Sequence, residues 1–183
     1  MGVLWVFVPV LGAPILHAPV LALDLLPSLK RPLDGALTLG GRRLLGGNKT
    51  WRGALVMVAG VVAAAGLLSL WPWYWRHLPD AVQDAGPWLF GLLLGLGVVV
   101  GELPNSFLKR RLGIAPGARR RTPGGVALTL YDQGDFVPWV WLTLAPIWVM
   151  SPLQALIAFA VVSAVHLLVN VIGAAIGARE SAL

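Results

Sequence analysis

The chain has 183 residues, 57% of them hydrophobic and only 12% charged, with a mean hydropathy of +0.78. A soluble domain of this size carries roughly 25% charged residues, and the total absence of cysteine rules out disulfides and cysteine-held zinc. The net charge of +6 comes from bases gathered mainly in two loops between apolar runs, a placement that argues against a nucleic-acid partner.

A hydrocarbon core about 30 Å thick takes roughly 20 apolar residues as a helix, and the apolar runs lack the alternation of a membrane barrel. The first predicted span is Val3 to Leu26, broken by Pro9, Pro14 and Pro19. It has no basic leader region and is too long and proline-rich for a signal peptide, so it is expected to be a retained helix. His17 marks an expected kink, which either opens a groove for lipid or serves packing alone.

The first basic loop follows, with Lys30, Arg31, Arg42, Arg43, Lys49 and Arg52 opposed by Asp34. It ends "LGGRRLLGGNKTWRG". Asn48 between Gly47 and Lys49 breaks the Walker pattern, so a P-loop NTPase is not expected. Gly46 and Gly47 permit a tight backbone, and Lys49, Thr50 and Arg52 place donors at the start of the next helix, where phosphate is favoured. A glycine turn with ordinary cytoplasmic anchors is the competing reading.

The second predicted span is Gly53 to Trp73. A weakly charged loop (Arg76, His77, Asp80, Asp84) leads to the third, Pro87 to Gly101 with a possible extension through Leu103, whose Gly91, Gly95 and Gly97 suit close helix contact. Next comes "GELPNSFLKRRLGIAPG", opening a second basic loop with Lys109, Arg110, Arg111, Arg119, Arg120 and Arg121. "YDQGDF" then precedes the fourth span, Phe136 to Met150, and Leu153 to Ile176 is the fifth. Tryptophans cluster near the ends of these runs, as in a headgroup belt. The positive-inside rule sets both basic loops and the C-terminus in the cytoplasm and the N-terminus outside. The expectation is an all-α integral membrane protein of about five helices forming a single domain over 1–183.

Three of the eight acidic residues, Glu102, Asp132 and Asp135, stand where hydrocarbon gives way to water. Asp132 and Asp135 share a helical face if the fourth helix starts there. Carboxylates cost about 2.5–3.5 kcal/mol each at a membrane-helix centre, so a cation is expected to satisfy them. Mg²⁺, with its preference for one or two carboxylates plus phosphate and water, is the natural one. Lys109, Arg110 and Arg111 are suited to phosphate oxygens. The alternative is that these bases simply pair with the acids and anchor the loop. His166 and Asn170 share a helix face; His166 is expected to be packed or hydrogen-bonded, and Asn170 to approach substrate.

Taken together, "GGNKTWRG", "GELPNSFLKRRLGIAPG", "DQGDF" and the closing "HLLVNVIGAAIGARE" resemble the CDP-archaeol synthase family, related to the phosphatidate cytidylyltransferases, over essentially the whole chain. The resemblance implies a membrane enzyme that moves CMP from CTP to a lipid phosphate with Mg²⁺, releasing pyrophosphate, its site facing the cytoplasm across the cell membrane. It implies Asp132 and Asp135 as metal ligands of the D-Q-x-D motif, with Lys109, Arg110 and Arg111 as its K-R-R and Ser106 before them. Asn48, Lys49, Thr50, Trp51 and Arg52 match its N-terminal loop motif. The family usually carries Asp where this chain has Glu102, which leaves Glu102 a further candidate ligand, directly or through water. The segment "ARRRTPGGVALTL" is longer and more basic than usual, a lid over nucleotide or, with Arg119 to Arg121, an anchor for anionic lipid. The same chemistry on phosphatidate, a non-catalytic carrier or scaffold, and assembly into a homo-oligomer all remain open at this point. A CDP-alcohol phosphotransferase does not fit, because its D-G-x-x-A-R motif is missing.

Overall fold

The computed structural model describes residues 2–115 and 131–175. The first apolar segment is a composite: α1 (Val3–Val6), a 3₁₀ turn (Val8–Leu11) and α2 (Gly12–Ala22) form one span over Val3–Ala22. Pro9 lacks an amide hydrogen and sits in the tightened turn, where an i→i−4 bond is not needed. The span stops at Ala22 rather than Leu26, because Asp24 and Leu26 take left-handed conformations (φ 49° and 55°) that no helix continues.

The loop that follows is not wholly irregular. Thr38–Leu39 (β1) pairs antiparallel with Arg42–Arg43 (β2) across Gly40 and Gly41, both at positive φ (57° and 72°). Positive φ at both central residues is the geometry of a tight two-residue hairpin. This small hairpin corrects the all-α expectation: the Gly-Gly doublet, not a hydrophobic alternation, encodes it.

The helix α3 (Trp51–Ser69) runs back through the apolar layer, and a short α4 (Pro72–Trp75) turns the chain. The next, α5 (Asp80–Arg111), breaks at Gly86 (φ 76°, ψ 163°) just ahead of Pro87. From Pro87 to Arg111 it is roughly 37 Å long at 1.5 Å per residue, more than the hydrocarbon needs. The third predicted span therefore does not end near Gly101; Lys109, Arg110 and Arg111 form the last turn of a helix, where bases suit the dipole.

The fourth predicted span, Phe136 to Met150, is helical only over α6 (Val137–Leu144). Pro146 has no amide hydrogen to extend it, and an irregular stretch leads to α7 (Pro152–Ala175). Four segments among the described residues are thus long and apolar enough to cross a membrane: Val3–Ala22, Trp51–Ser69, Asp80–Arg111 and Pro152–Val169.

The core sits where α3, α5 and α6 meet, around Val61, Phe90, Leu94, Val98, Val140 and Leu144, all buried. By contrast α7 leaves Leu156, Val165 and Leu168 exposed, with only 6% of its span buried. One glycine decides how the site forms. A Cβ on Gly101 would lie 2.4 Å from the Phe136 Cα, so only glycine lets the turn before α6 dock against α5.

Candidate active site

Glu102, Asn105 and Lys109 stand three and four residues apart on α5 and share one face. Asn105 is 3% exposed. Its Nδ2 donates to Asp132 Oδ1 and, at 2.9 Å, to Asp135 Oδ2. Lys109 Nζ sits 2.8 Å from the same Asp132 oxygen.

The two aspartates do not lie on a helix, as their spacing suggested. They belong to the turn 131–136, closed by Gly134 N–H to the Tyr131 carbonyl (3.1 Å) and Val137 N–H to the Gly134 carbonyl (3.0 Å). The helix starts only at Val137, two positions after Asp135 and five after Asp132, and α5 brings them together instead. Burial is the chief cause that pushes the Asp135 carboxyl up to about 7. The Asn105 hydrogen bond opposes it, the charges of Asp132 and Glu102 add to it, and Lys109 opposes it again.

Glu102 takes another partner, an ion pair with Lys49 from the turn before α3. That contact ties the first loop motif to α5 across 53 positions of sequence. Thr50 serves as the helix cap, its Oγ1 accepting from Gly53 N–H at 3.2 Å, while Asn48 is exposed in the preceding turn. Ser106 is buried beside Asn105.

The remaining bases divide sharply. Arg52 Nη1 donates to Asp24 Oδ1 (2.8 Å) and to the Leu25 carbonyl (3.0 Å), holding the end of the first span. The Arg111 guanidinium donates to the carbonyls of Leu39, Arg42 and Arg43, so it grips the hairpin. Arg110 forms no ion pair among the described residues, and its buried Nε has no partner. Of the K-R-R motif, one base holds an acid, one has no acidic partner among the described residues and one is structural.

Sequence reasoning missed Asn105, Asp24 and the placement of His17. The His17 imidazole faces the start of α3, with its Nε2 3.4 Å from where a Gly53 Cβ would be. Antiparallel packing of α2 on α3 puts it near the loop motif rather than at a remote kink. His166 donates from Nδ1–H to the Gln133 carbonyl (3.1 Å), as expected of a hydrogen-bonded residue. Arg119, Arg120, Arg121 and the side chain of Asn170 lie outside the described residues.

Beside the acidic turn lies an almost wholly apolar cleft of about 410 Å³ between Tyr131, Gln133 and α7 residues Phe159, Ser163, Ala164 and Leu167. Among the described residues no three His, Cys, Asp or Glu side chains gather as a metal cluster. The oxygen-only pair Asp132 and Asp135, with the buried Asn105 Oδ1 lacking any partner, nevertheless fits Mg²⁺, which takes one or two carboxylates and fills its shell with water and phosphate.

A family model described as "CarS-like: CDP-archaeol synthase" matches residues 25–182. The chain is 42% identical to a CDP-archaeol synthase of Halobacterium salinarum, covering 82% of each chain. It is 32% identical to one of Methanosarcina mazei, over 82% of this chain and 89% of the relative. A solved structure of an intramembrane enzyme for archaeal membrane lipids biosynthesis superposes with a TM-score of 0.65 at 29% identity, covering 92% of both chains.

Proposed function

The chain belongs to the CDP-archaeol synthase family and is a CTP-dependent lipid cytidylyltransferase, and from that premise we propose that it transfers CMP from CTP to an isoprenoid ether lipid phosphate. The observation that carries the reading is the meeting of Asp132 and Asp135 with Asn105 and Lys109 near the end of α5, next to an apolar cleft and one residue before Arg110. Acids for a cation, bases for phosphate and a wall for hydrocarbon stand within one site.

In the reaction, an oxygen of the lipid phosphate attacks the α-phosphorus of CTP. The bond from that phosphorus to the bridging oxygen of the β-phosphate breaks, and pyrophosphate leaves with the electron pair. The nucleophile is already an anion, so the barrier is mostly charge and alignment. Asp132 and Asp135 would hold Mg²⁺, which when bound would supply neutralisation of the triphosphate charge. Arg110, without an acidic partner among the described residues, takes phosphate oxygens through its fork. Lys109 pairs with Asp132 and aims it. Lys49 and Asn48 present the first loop to the same region, with Lys49 poised between Glu102 and an incoming anion.

The topology follows the positive-inside rule: N-terminus outside, both basic loops and the site in the cytoplasm, and the broken segment 136–151 completing a fifth crossing. Irregular backbone at that depth is tolerated because Leu144 and Met150 bury it against the other helices.

The test is CMP transfer from labelled CTP by protein purified in detergent, with Mg²⁺ and either an archaeal-type ether phosphate or phosphatidate. Label in the ether lipid is expected, and label in phosphatidate alone would replace the substrate assignment. Asp132→Asn and Asp135→Asn should each abolish transfer in folded protein; full activity in either would remove these acids from the site.

A further inference from the structure

We propose that Asn105 is the positioning residue of the acid pair, holding Asp132 and Asp135 at the spacing of a cation site without neutralising either; the proposal rests on the reading of those two acids as metal ligands. A single nitrogen bridges them, with Nδ2 donating to Asp132 Oδ1 and to Asp135 Oδ2. Among the described residues no other side chain donates to both acids. The acids lie in an irregular segment, so no helix fixes their separation, and two carboxylates drawn together repel each other.

The chemistry of the bridge matters. A lysine between the acids would draw them in but cancel the charge that a cation needs, as Lys109 partly does at Asp132. An acid at position 105 would add repulsion and donate no hydrogen bond when ionised. The neutral amide gives an N–H to each carboxyl group and adds no positive charge of its own between them. Its burial makes the bridge rigid, and Gly101, one turn earlier on α5, lets the turn come close enough to be bridged. The Oδ1 of the same amide is buried with no hydrogen-bond partner among the described residues. Glu102, one turn away, is committed to Lys49 and does not perform this role.

The experiment measures Mn²⁺ binding, by the loss of its free paramagnetic signal, to detergent-purified protein without CTP, alongside thermal unfolding in EDTA. Wild type, Asn105→Ala and Asn105→Asp are compared. Asn105→Ala is expected to bind Mn²⁺ about 10- to 100-fold more weakly, the range for losing a group that orients metal ligands. Asn105→Asp is expected to unfold at lower temperature than wild type in EDTA, yet gain more from Mn²⁺ than wild type does. Opposite signs in those two readouts are not produced by a packing role. Asn105→Ala binding within twofold of wild type, or Asn105→Asp losing stability equally with and without Mn²⁺, would overturn the proposal. Wild type that binds no Mn²⁺ would instead sink the metal reading itself, and the positioning role with it.

Discussion

Arg42 and Arg111 hold one another: Arg42 Nη1 donates to the Arg111 carbonyl at 2.7 Å, and Arg111 Nη2 donates to the Arg42 carbonyl at 3.0 Å. Two like charges are thus brought side by side by backbone acceptors, and the hairpin is latched to the end of α5. Arg111 also reaches the Leu39 and Arg43 carbonyls, so one planar fork serves three acceptors.

Lysine has a single ammonium and cannot copy that fork. Arg111→Lys should therefore loosen residues 36–45, costing about 1–2 kcal/mol of local stability. Hydrogen exchange read by mass spectrometry should rise in that segment and stay unchanged in α3. Unchanged exchange in the hairpin would return Arg111 to the phosphate-binding group.

Arg110 has the opposite profile. Because it anchors nothing among the described residues, Arg110→Gln should leave the unfolding temperature within a degree or two. Its kcat/KM for CTP should fall roughly a hundredfold, the scale for losing one donor to developing charge. A variant that unfolds early while keeping its kcat/KM would identify Arg110 as structural.

The pair Lys49 and Glu102 distinguishes strut from ligand. Both side chains are partly exposed (20% and 34%), so a double-mutant cycle of Lys49→Met and Glu102→Gln should give a stability coupling of about 1 kcal/mol or less. If Glu102 is only the partner of Lys49, Glu102→Gln leaves Mn²⁺ affinity near wild type. A tenfold loss of Mn²⁺ affinity in Glu102→Gln, without one in Lys49→Met, would make it a direct or water-mediated ligand.

Asp34 sets a pH dependence for the same loop. Burial alone would raise its carboxyl, but the Leu45 amide, the Arg43 guanidinium and the Ala36 amide outweigh burial and hold it below its ordinary 3.8. A depressed acid contributes stability that is complete above the unfolded value and disappears as pH falls through the folded one. Exchange protection of residues 34–45 should therefore be constant from pH 7 to about 5 and fall below about 4. Asp34→Asn should remove that fall; an identical acid transition in the variant would assign it to another group.

The apolar runs and the order of motifs were legible in the sequence because length and hydropathy are local properties. What escaped depended on contacts between distant segments. Asn105 lies between motif residues on a proline-containing helix, and only the continuation of α5 through Pro104 shows that it shares a face with Glu102 and Lys109. The division of labour among Lys109, Arg110 and Arg111 follows from the 100° between successive helix positions, which was hidden while they were read as loop residues. Asp24 was lost inside an apolar run, although as the partner of both Arg52 and Lys30 it marks where the first span ends. The hairpin had only Gly40–Gly41 as its signal, and its strands are two residues each.

The contact of Gly101 with Phe136 carries a consequence for how the enzyme comes into being. The acids and the bases arrive on segments separated by about twenty residues of chain, and neither segment has the full constellation by itself. A nascent chain that has inserted through α5 holds Lys109 and Arg110 but lacks Asp132 and Asp135 to set against them. Catalytic competence appears in a single late event, when the turn seats on the helix. Any fault in that seating yields a protein that is inserted, largely helical and inert.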